Sequence, residues 1–183
     1  MARFHVPHFE EAGRLNPKTI HDRMPEALYS NTLDYLVITC VDLAFVREGQ
    51  LLLAQRTRYP RSSWWLIGGR MVAGESPIAA AQRKAAEEAQ LVGLGAERFQ
   101  FLGVYSTCFA MREQEPRQHG SHTVNLTYRV QLTAVEQAQV QLSQAEYNSH
   151  YRWLALSAVE QILDLSNPID HALQTIVHDL RNW

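Results

Sequence analysis

Two stretches of the chain carry the clearest strand-type patterns of apolar and polar residues. Residues 35–46 form a nearly continuous apolar run, rich in β-branched and aromatic side chains, which is typical of a buried strand. Residues 123–133 alternate between apolar and polar positions, which predicts a strand with one buried face. The apolar positions are Val124, Leu126, Tyr128, Val130 and Leu132, and the polar ones are Asn125, Thr127, Arg129 and Gln131.

Shorter patterns complete the expected order of elements. Further strands are predicted at residues 51–56, 64–67, 98–106 and 151–155. Helices are predicted from Pro17 to about Met24, from Ser76-Pro77, from Ser157 to Leu163, and from Asn167-Pro168, with one more turn around Pro25. The polar segment 107–121 is expected to be a long, functional loop. Strands and helices that alternate irregularly favour a mixed sheet between helices.

The length and composition predict one domain with an extension before it. A chain of 183 residues that is 46% hydrophobic can bury a substantial core. Residues 1–30 contain three prolines and are interpreted as an extension packed on the domain or on a partner subunit. Residues 31–183 are assigned to the domain itself.

The net charge and the number of cysteines indicate which binding partners and which cellular compartment to expect. The formal net charge of −2 does not favour binding to nucleic acid. The longest apolar run is too short for a membrane span, and the N-terminus lacks the apolar core of a signal peptide. Cys40 and Cys108 are expected to be reduced thiols. These features predict a cytoplasmic globular protein.

One motif carries the chemistry. It reads Gly69, five residues, Glu75, seven residues, Arg83, three residues, and then the pair Glu87-Glu88, followed by Leu91. This spacing resembles the Nudix box, G-x5-E-x7-R-E-U-x-E-E-x-G-U, in which U is a bulky aliphatic residue. The resemblance implies the Nudix fold, an α/β/α sandwich with a central mixed β-sheet, and the activity of a Nudix hydrolase.

Helical spacing suits a site for a divalent cation. Residues three and four apart share a helix face, and two adjacent carboxylates near a Gly-Gly turn make a hard oxygen site for Mg²⁺ or Mn²⁺. The resemblance implies that the carbonyl of Gly68 and the carboxylate of Glu88 are ligands and that Glu87 assists. It also implies that Glu75 and Arg83 pair to hold the loop on the helix. The alternative is a solvent-facing helix held by i,i+4 ion pairs.

The sequence departs from the box at Lys84, Ala85 and Gln90. Lys84 stands where the family has a glutamate that binds a second metal or acts as the general base. A protonated lysine can do neither, and its ammonium lies one turn from Glu88, where it opposes the binding of several cations. We therefore expect at most one tightly held Mg²⁺.

Residues outside the box resemble one branch of the family, the GDP-mannose mannosyl hydrolases, which also lack this glutamate. The matching positions are Asp42, Arg56 and Arg70, with His122 before the long strand. The resemblance implies that the arginines stabilise the departing diphosphate and that Asp42 orients the site. Asp42 as a strand-end cap, Arg56 as a surface residue and His122 as a structural residue are the alternatives.

The general base is not assigned by the motif. Tyr147 and Asn148 occupy the positions where that branch has its glutamine ligand and histidine base. Glu146 and His150 lie close by, and His150 has a suitable ordinary pKa for a base, although it also fits a surface position beside a strand.

Three functions follow as hypotheses. The first is a Mg²⁺-dependent hydrolase of a nucleoside diphosphate linked to another group, a nucleotide sugar such as GDP-mannose. The second is a pyrophosphohydrolase that attacks phosphorus in a nucleotide. The third is a Nudix-fold nucleotide-binding protein that lost catalysis with Lys84. The branch resemblance also implies a homodimer formed through the N-terminal region.

Overall fold

The computed structural model describes residues 6–12, 24–56, 58–60, 63–144 and 147–183, without the side chains of residues 148–150. The helix predicted from Pro17 to about Met24 lies almost wholly outside the described residues. The helices are α1 (Glu26–Tyr35), α2 (Pro77–Ala89), α3 (Ala134–Gln139) and α4 (Pro168–Arg181). The strands are β1 (Ile38–Arg47), β2 (Gln50–Arg56), β3 (Trp64–Trp65), β4 (Ile67–Arg70), β5 (Phe99–Phe109), β6 (Ser121–Gln131) and β7 (Tyr147–Ala155).

The strands build one mixed sheet, as the alternating elements predicted. Within the described residues the sheet has seven strands, with a central order β3-β2-β1-β6-β5, while β4 pairs with β1 and β7 with β2. The β1–β6 pair is parallel, and the others are antiparallel. This parallel register places Cys40 opposite Asn125 and Asp42 opposite Thr127, so two sequence-distant polar stretches share one face.

Helices cover both faces of the sheet and confirm the predicted three-layer architecture. On one face, alanines of α2 pack with Val41, Leu43 and Phe45 of β1. On the other face, residues of α4 pack with Ala44 and Val46. Since neighbouring residues of β1 point to opposite faces, each layer receives alternate positions of the same strand. None of the described helices has the length and apolar character needed to cross a membrane.

Helix α2 begins with strong local signals. The side chain of Ser76 accepts a hydrogen bond from the Ala79 amide, and Pro77 occupies the first turn. Alanines at Ala80, Ala81 and Ala85 are fully buried, which allows the helix to approach the sheet closely. Glu88 is buried beside these alanines, and the Lys84 side chain reaches toward Gly69 of β4.

The N-terminal region differs from the predicted single turn around Pro25. A ten-residue helix, α1, runs from Glu26 to Tyr35 and crosses the expected boundary at residue 30. Tyr35, assigned from sequence to the first strand, therefore ends a helix, and β1 begins at Ile38. The helix has no side-chain cap, which removes the usual sequence signal for its start.

Two further expectations are corrected. The segment 107–121 is shorter as a loop than predicted, because β5 continues to Phe109 and β6 begins at Ser121. The short helix predicted from Ser157 to Leu163 is a 3₁₀ turn at Leu156–Ile162 without a side-chain cap. The final helix is confirmed, with Asn167 as its N-cap.

Candidate active site

The box residues Glu75 and Arg83 form a paired clamp, as the resemblance implied. Arg83 donates from Nε to Glu75 Oε1 at 2.8 Å and from Nη2 to Oε2 at 2.6 Å. Glu75 also accepts from the Val72 amide at 2.6 Å, and Arg83 donates to the Arg70 carbonyl at 3.1 Å. This bidentate pair, with about a tenth of each side chain exposed, fixes the loop before α2 to the helix.

Lys84 lies between the two carboxylates that were predicted to bind metal. Its ammonium is 2.8 Å from Glu88 Oε1 and 3.1 Å from Glu87 Oε2. Burial raises the pKa of the Glu87 carboxyl, but hydrogen bonds and charge from Lys84 and then Arg83 outweigh it and hold that pKa below its usual range. The i,i+4 ion pair between Lys84 and Glu88 is therefore present, and it involves one of the candidate metal ligands.

Glu88 retains one open ligand position. The residue is only 5% exposed, and its Oε2 atom is buried without a hydrogen-bond partner. A buried carboxylate oxygen of this kind is costly unless a cation or donor completes it. Within the described part of the chain, no three His, Cys, Asp or Glu side chains group closely enough to hold a metal. Glu88 Oε2 together with a backbone oxygen is the hard-oxygen donor chemistry that fits a divalent cation.

Gly68 and Gly69 separate these carboxylates from a pocket on the other side of β4. A Cβ atom added at Gly69 would lie 3.3 Å from the Lys84 ammonium, so Gly69 faces α2. A Cβ atom at Gly68 would meet the Val41 carbonyl oxygen and lie 2.8 Å from Asp42 Oδ1. Glycine is required at Gly68, because a Cβ atom there would overlap the backbone of β1, whereas at Gly69 it would meet only the end of the Lys84 side chain.

The pocket has a volume of about 60 Å³ and combines polar and aromatic walls. Its lining residues are Cys40, Asp42, Arg56, Pro60, Trp65, Leu66, Gly68, Gly69, Phe109, Thr123 and Asn125. A volume of this size accommodates roughly four to six water-sized groups, so it fits part of a nucleotide derivative rather than the whole of one.

Asp42 is the centre of a buried hydrogen-bond network in this pocket. It is 3% exposed, and its Oδ2 atom accepts from Trp65 Nε1 at 3.1 Å and from Asn125 Nδ2 at 2.7 Å. These partners allow the charge to be buried. The network holds Trp65 and Asn125 at the pocket, and the role of Asp42 in orienting the site stays a prediction.

The two predicted arginines approach the same region. The Arg56 guanidinium lies 5.8 Å from the centre of the Tyr147 ring, and the Arg70 guanidinium lies 4.2 Å from that of Tyr29. Nη1 of Arg70 is buried without a hydrogen-bond partner. A fixed cation with an open donor is suited to an oxygen anion.

The pKa of the Cys40 thiol depends on the charged residues around the pocket. Burial, and then the charge of Asp42, raise the pKa of the thiol to about 12. The charges of Arg56, Arg70 and Lys84 oppose that shift. The thiol is therefore neutral at physiological pH.

Of the two predicted histidines, only His122 has a described side chain, and it does not line the pocket. His122 bonds Ser106 Oγ at 2.8 Å. His122 directly precedes Thr123 on β6, and neighbouring residues of a strand point to opposite faces. Its side chain therefore lies on the face opposite to the pocket residues Thr123 and Asn125. The side chain of His150 and all of Glu146 lie outside the described residues.

Several site residues were missed or undervalued by sequence reasoning. Tyr147, predicted to be a poor substitute for a ligand, is 2% exposed, and its hydroxyl accepts from the Gly68 amide at 3.4 Å. Tyr29 belongs to the segment interpreted as an extension. Trp65 and Asn125 belong to no sequence motif, and their contacts with Asp42 depend on how the strands pair. Only the polar position of Asn125 on an alternating strand offered a signal.

An open mixed sheet between helices, with a carboxylate-bearing helix directly after a Gly-Gly strand end, defines a Nudix-type hydrolase. The NUDIX domain family model matches residues 38–176, well over half of the chain. The chain therefore belongs to the NUDIX domain family, and hydrolase is its enzyme class. No curated protein matches the chain in sequence.

Solved structures support the same fold. The MutT NUDIX hydrolase from Burkholderia pseudomallei is 23% identical, with a TM-score of 0.59 over 79% of this chain and 98% of that one. The NUDIX domain of Shewanella oneidensis NrtR, complexed with ADP ribose, is 22% identical, with a TM-score of 0.56 over 87% and 98%. An Ap4A hydrolase from C. elegans is 18% identical, with a TM-score of 0.54 over 80% and 96%. At these identities the similarity concerns the fold.

Proposed function

We propose that the protein is a Mg²⁺-dependent hydrolase of a nucleoside diphosphate linked to another group, specifically a nucleotide sugar such as GDP-mannose. One observation carries this proposal: the pocket with Arg56 and Asp42 and the carboxylates of α2 lie on opposite sides of the Gly68-Gly69 backbone. A diphosphate bound along the edge of β4 that does not pair with β1 would contact Arg56 on the pocket side and a cation on Glu88 on the α2 side. The pocket beyond it would receive the group attached to the diphosphate.

The described residues also indicate how one cation would be held. Glu88 Oε2 is the open carboxylate position, and Glu87 and the Gly68 carbonyl complete the set that the box implies. Bound there, Mg²⁺ or Mn²⁺ would neutralise a diphosphate and polarise its oxygens. Tyr147, which holds the Gly68 amide, would keep the glycine backbone in position during binding.

Arg56 and Arg70 would stabilise the negative charge that develops on the departing diphosphate. Fixed cations are most useful where charge increases between the ground state and the transition state. Tyr29 holds the Arg70 guanidinium by a cation–π contact, so Arg70 is preorganised for this role. We place the general base in the segment around His150, since the lysine at position 84 cannot accept a proton while charged.

The neighbouring structures widen the choice of nucleotide. Structures of similar fold carry ADP ribose or are named for hydrolysis of Ap4A, and both are nucleotide derivatives. Attack on phosphorus is therefore the second candidate reaction. The ion pairs of Lys84 with Glu87 and Glu88 specifically favour the third candidate, a binding protein with weakened metal affinity.

The experiment uses purified protein with Mg²⁺, a panel of nucleotide sugars and dinucleotides, and ¹⁸O-labelled water, with products identified by mass. Attack on carbon breaks the bond between the sugar carbon and the diphosphate oxygen, and it places ¹⁸O in the free sugar. Attack on phosphorus places ¹⁸O in a phosphate. We expect GDP and labelled mannose from GDP-mannose.

Two variants test the metal assignment in that assay. Glu88→Gln should lower turnover by about 10²-fold or more, because it removes the open carboxylate position. The exposed residue Glu97 supplies the matched control, Glu97→Gln, with unchanged turnover. Equal activity of Glu88→Gln and the wild type would remove the metal assignment. Tight nucleotide-sugar binding without any product would identify a binding protein instead.

We also propose a cytoplasmic homodimer that uses the N-terminal region. Leu28, Tyr35 and Leu36 on and after α1 are 54%, 85% and 61% exposed, and a second copy would cover them. Light scattering that gave the mass of a monomer at working concentrations would contradict the dimer.

A further inference from the structure

A strip of polar side chains lines the sheet where β5 and β6 approach the pocket. Thr107 pairs with Thr123 across the two strands, and Asn125 and Thr127 follow on the same face of β6. Each carries a buried side-chain oxygen without a hydrogen-bond partner: Thr107 Oγ1, Thr123 Oγ1, Asn125 Oδ1 and Thr127 Oγ1. Two of the four residues, Thr123 and Asn125, line the pocket itself.

The orientation of the Asn125 amide is fixed by its neighbour. Asp42 Oδ2 lies 2.7 Å from the Asn125 nitrogen, and an ionised carboxylate accepts hydrogen bonds but cannot donate them. The amide nitrogen must therefore face Asp42, which leaves Oδ1 as the group presented to the pocket. Because Asn125 is only 8% exposed, this acceptor cannot turn toward bulk solvent.

The pocket around Asn125 is unsuited to phosphate. The amide oxygen and the neighbouring Asp42 carboxylate both repel an anion, whereas Arg56 lines the same pocket from the end of β2, and Arg70 lies at the end of β4. The pocket thus combines a first part beside Arg56, suited to a diphosphate, with a second part formed by the acceptors of Asn125 and Thr123. The second part must receive a neutral group that donates hydrogen bonds.

A hydroxyl-bearing ring meets that requirement better than an apolar group. A hydroxyl both donates and accepts, so it can donate to Asn125 Oδ1 and exchange bonds with the Thr123 hydroxyl. Trp65 and Phe109 add aromatic walls against which the carbon face of a sugar can pack. The volume of about 60 Å³ fits part of such a ring.

We propose that Asn125 is a specificity-determining residue, whose Oδ1 atom accepts a hydrogen bond from a hydroxyl of the sugar attached to the diphosphate, with Thr123 beside it. This inference rests on the proposed nucleotide-sugar function and adds the residue that reads the sugar. Trp65 and Asp42 act as positioning residues, because they hold Asn125 and the pocket wall in place.

The test measures binding without turnover. Isothermal titration in EDTA compares GDP with GDP-mannose and with its monodeoxy-mannose analogues, for the wild type and Asn125→Ala. We expect the wild type to bind GDP-mannose about tenfold more tightly than the one deoxy analogue that lacks the recognised hydroxyl. Asn125→Ala should bind the two equally, while its affinity for GDP alone stays unchanged.

Two further variants separate recognition from folding. Thr123→Val leaves the Asp42 network intact, removes one pocket hydroxyl, and should reduce the advantage of GDP-mannose over GDP by several-fold. Thr127→Val is the matched control, since Thr127 is fully buried on the same strand face but does not line the pocket, and it should change no affinity ratio. These variants decide the question even if Asn125→Ala unfolds.

The outcomes that overturn the proposal are distinct. If Asn125→Ala and Thr123→Val keep the full preference for the parent sugar, or weaken GDP as much as GDP-mannose, the sugar subsite is wrong and the nucleotide-sugar function stands. If the wild type binds GDP and no nucleotide sugar more tightly, the subsite is likewise wrong. If it binds neither, the proposed function and the subsite fail together.

Discussion

Among single residues, Lys84 sets the charge balance of the α2 carboxylates. Its ammonium contacts both Glu87 and Glu88, and the neighbouring Arg83 contacts Glu87 at 3.0 Å. Two adjacent carboxylates without these cations would repel each other and bind a divalent ion strongly. Lys84 therefore supplies internally part of the positive charge that a metal would otherwise provide.

The first prediction is that Lys84→Gln tightens Mn²⁺ binding. Removing the ammonium frees oxygens of Glu87 and Glu88, and we expect the dissociation constant to fall by about tenfold, or roughly 1.4 kcal/mol. Electron paramagnetic resonance of free Mn²⁺ during titration measures this without any substrate. The matched control is Arg181→Gln, because Arg181 is a cation on α4 that forms an ion pair with Glu160. An unchanged dissociation constant would show that Lys84 does not compete with the cation.

The residues of the box were predictable because helical geometry fixes their relations. Spacing alone predicts two contacting pairs on the helix, since Arg83 and Glu87 are four residues apart, as are Lys84 and Glu88. The partners of Asp42 could not be predicted in this way. Asn125 lies 83 positions further along the chain and reaches Asp42 only through the parallel pairing of β1 with β6. A pattern of apolar and polar residues predicts a strand but not its neighbour in the sheet.

At the scale of elements, α3 shows how one short helix depends on its cap. Thr133 accepts from the Glu136 amide at 3.2 Å, and Glu136 accepts from the Thr133 amide at 2.7 Å, which is a complete capping box. Arg98 adds hydrogen bonds to Glu136 at 2.9 and 3.0 Å. Helix α3 was not among the predicted helices, although its Thr-x-x-Glu pattern is a known signal for a helix start; uncapped α1 offered no such signal.

The second prediction concerns the pH dependence of this cap. The pKa of Glu136 is lowered to about 2 from an ordinary value of 4.5, chiefly because its carboxylate accepts hydrogen bonds from Arg98. A carboxyl with a depressed folded-state pKa stabilises the fold above its unfolded pKa, and that contribution is lost as the pH falls from about 4.5 toward 2. Glu136→Gln should therefore reduce the free energy of unfolding by about 1–2 kcal/mol at pH 7.

Urea denaturation at a series of pH values tests this window. The difference between the wild type and Glu136→Gln should shrink steadily as the pH falls from about 4.5 toward 2. Glu160→Gln, which removes the carboxylate of the surface ion pair with Arg181, should cost less than 1 kcal/mol. A difference for Glu136→Gln that stayed constant with pH would contradict an electrostatic origin.

At the scale of the whole molecule, a buried arginine joins the N-terminal helix to the domain. Arg112 is 1% exposed, and it donates to Asp34 at 2.6 Å and to Ser30 Oγ at 3.0 Å, both on α1. It also donates to the Gly120 carbonyl at 3.4 Å, between β5 and β6. The hydrogen bond from Arg112 contributes most to holding the pKa of the Asp34 carboxyl below its usual range.

This junction affects the pocket because α1 carries Tyr29. The phenol ring of Tyr29 stacks on the Arg70 guanidinium and packs with Cys40, which lines the pocket. Burial raises the pKa of the Tyr29 hydroxyl, and the nearby Arg70 charge opposes that shift. The family match begins only at residue 38, so a helix outside the matched region supports a residue of the site. We therefore propose that the functional unit includes α1.

The last prediction is that Arg112→Leu releases α1 while the sheet remains folded. Loss of a buried charge and its hydrogen bonds should cost about 3 kcal/mol, and hydrogen exchange should increase in residues 26–35 and 110–120 but not in β1 or α2. Because Tyr29 then no longer holds Arg70, affinity for GDP should fall several-fold. Arg117→Leu, in the same segment but with 48% of its side chain exposed, is the matched control and should leave both unchanged. Unaltered exchange in residues 26–35 of Arg112→Leu would mean that apolar packing alone holds α1, and unaltered GDP affinity despite release of α1 would mean that Arg70 does not need Tyr29.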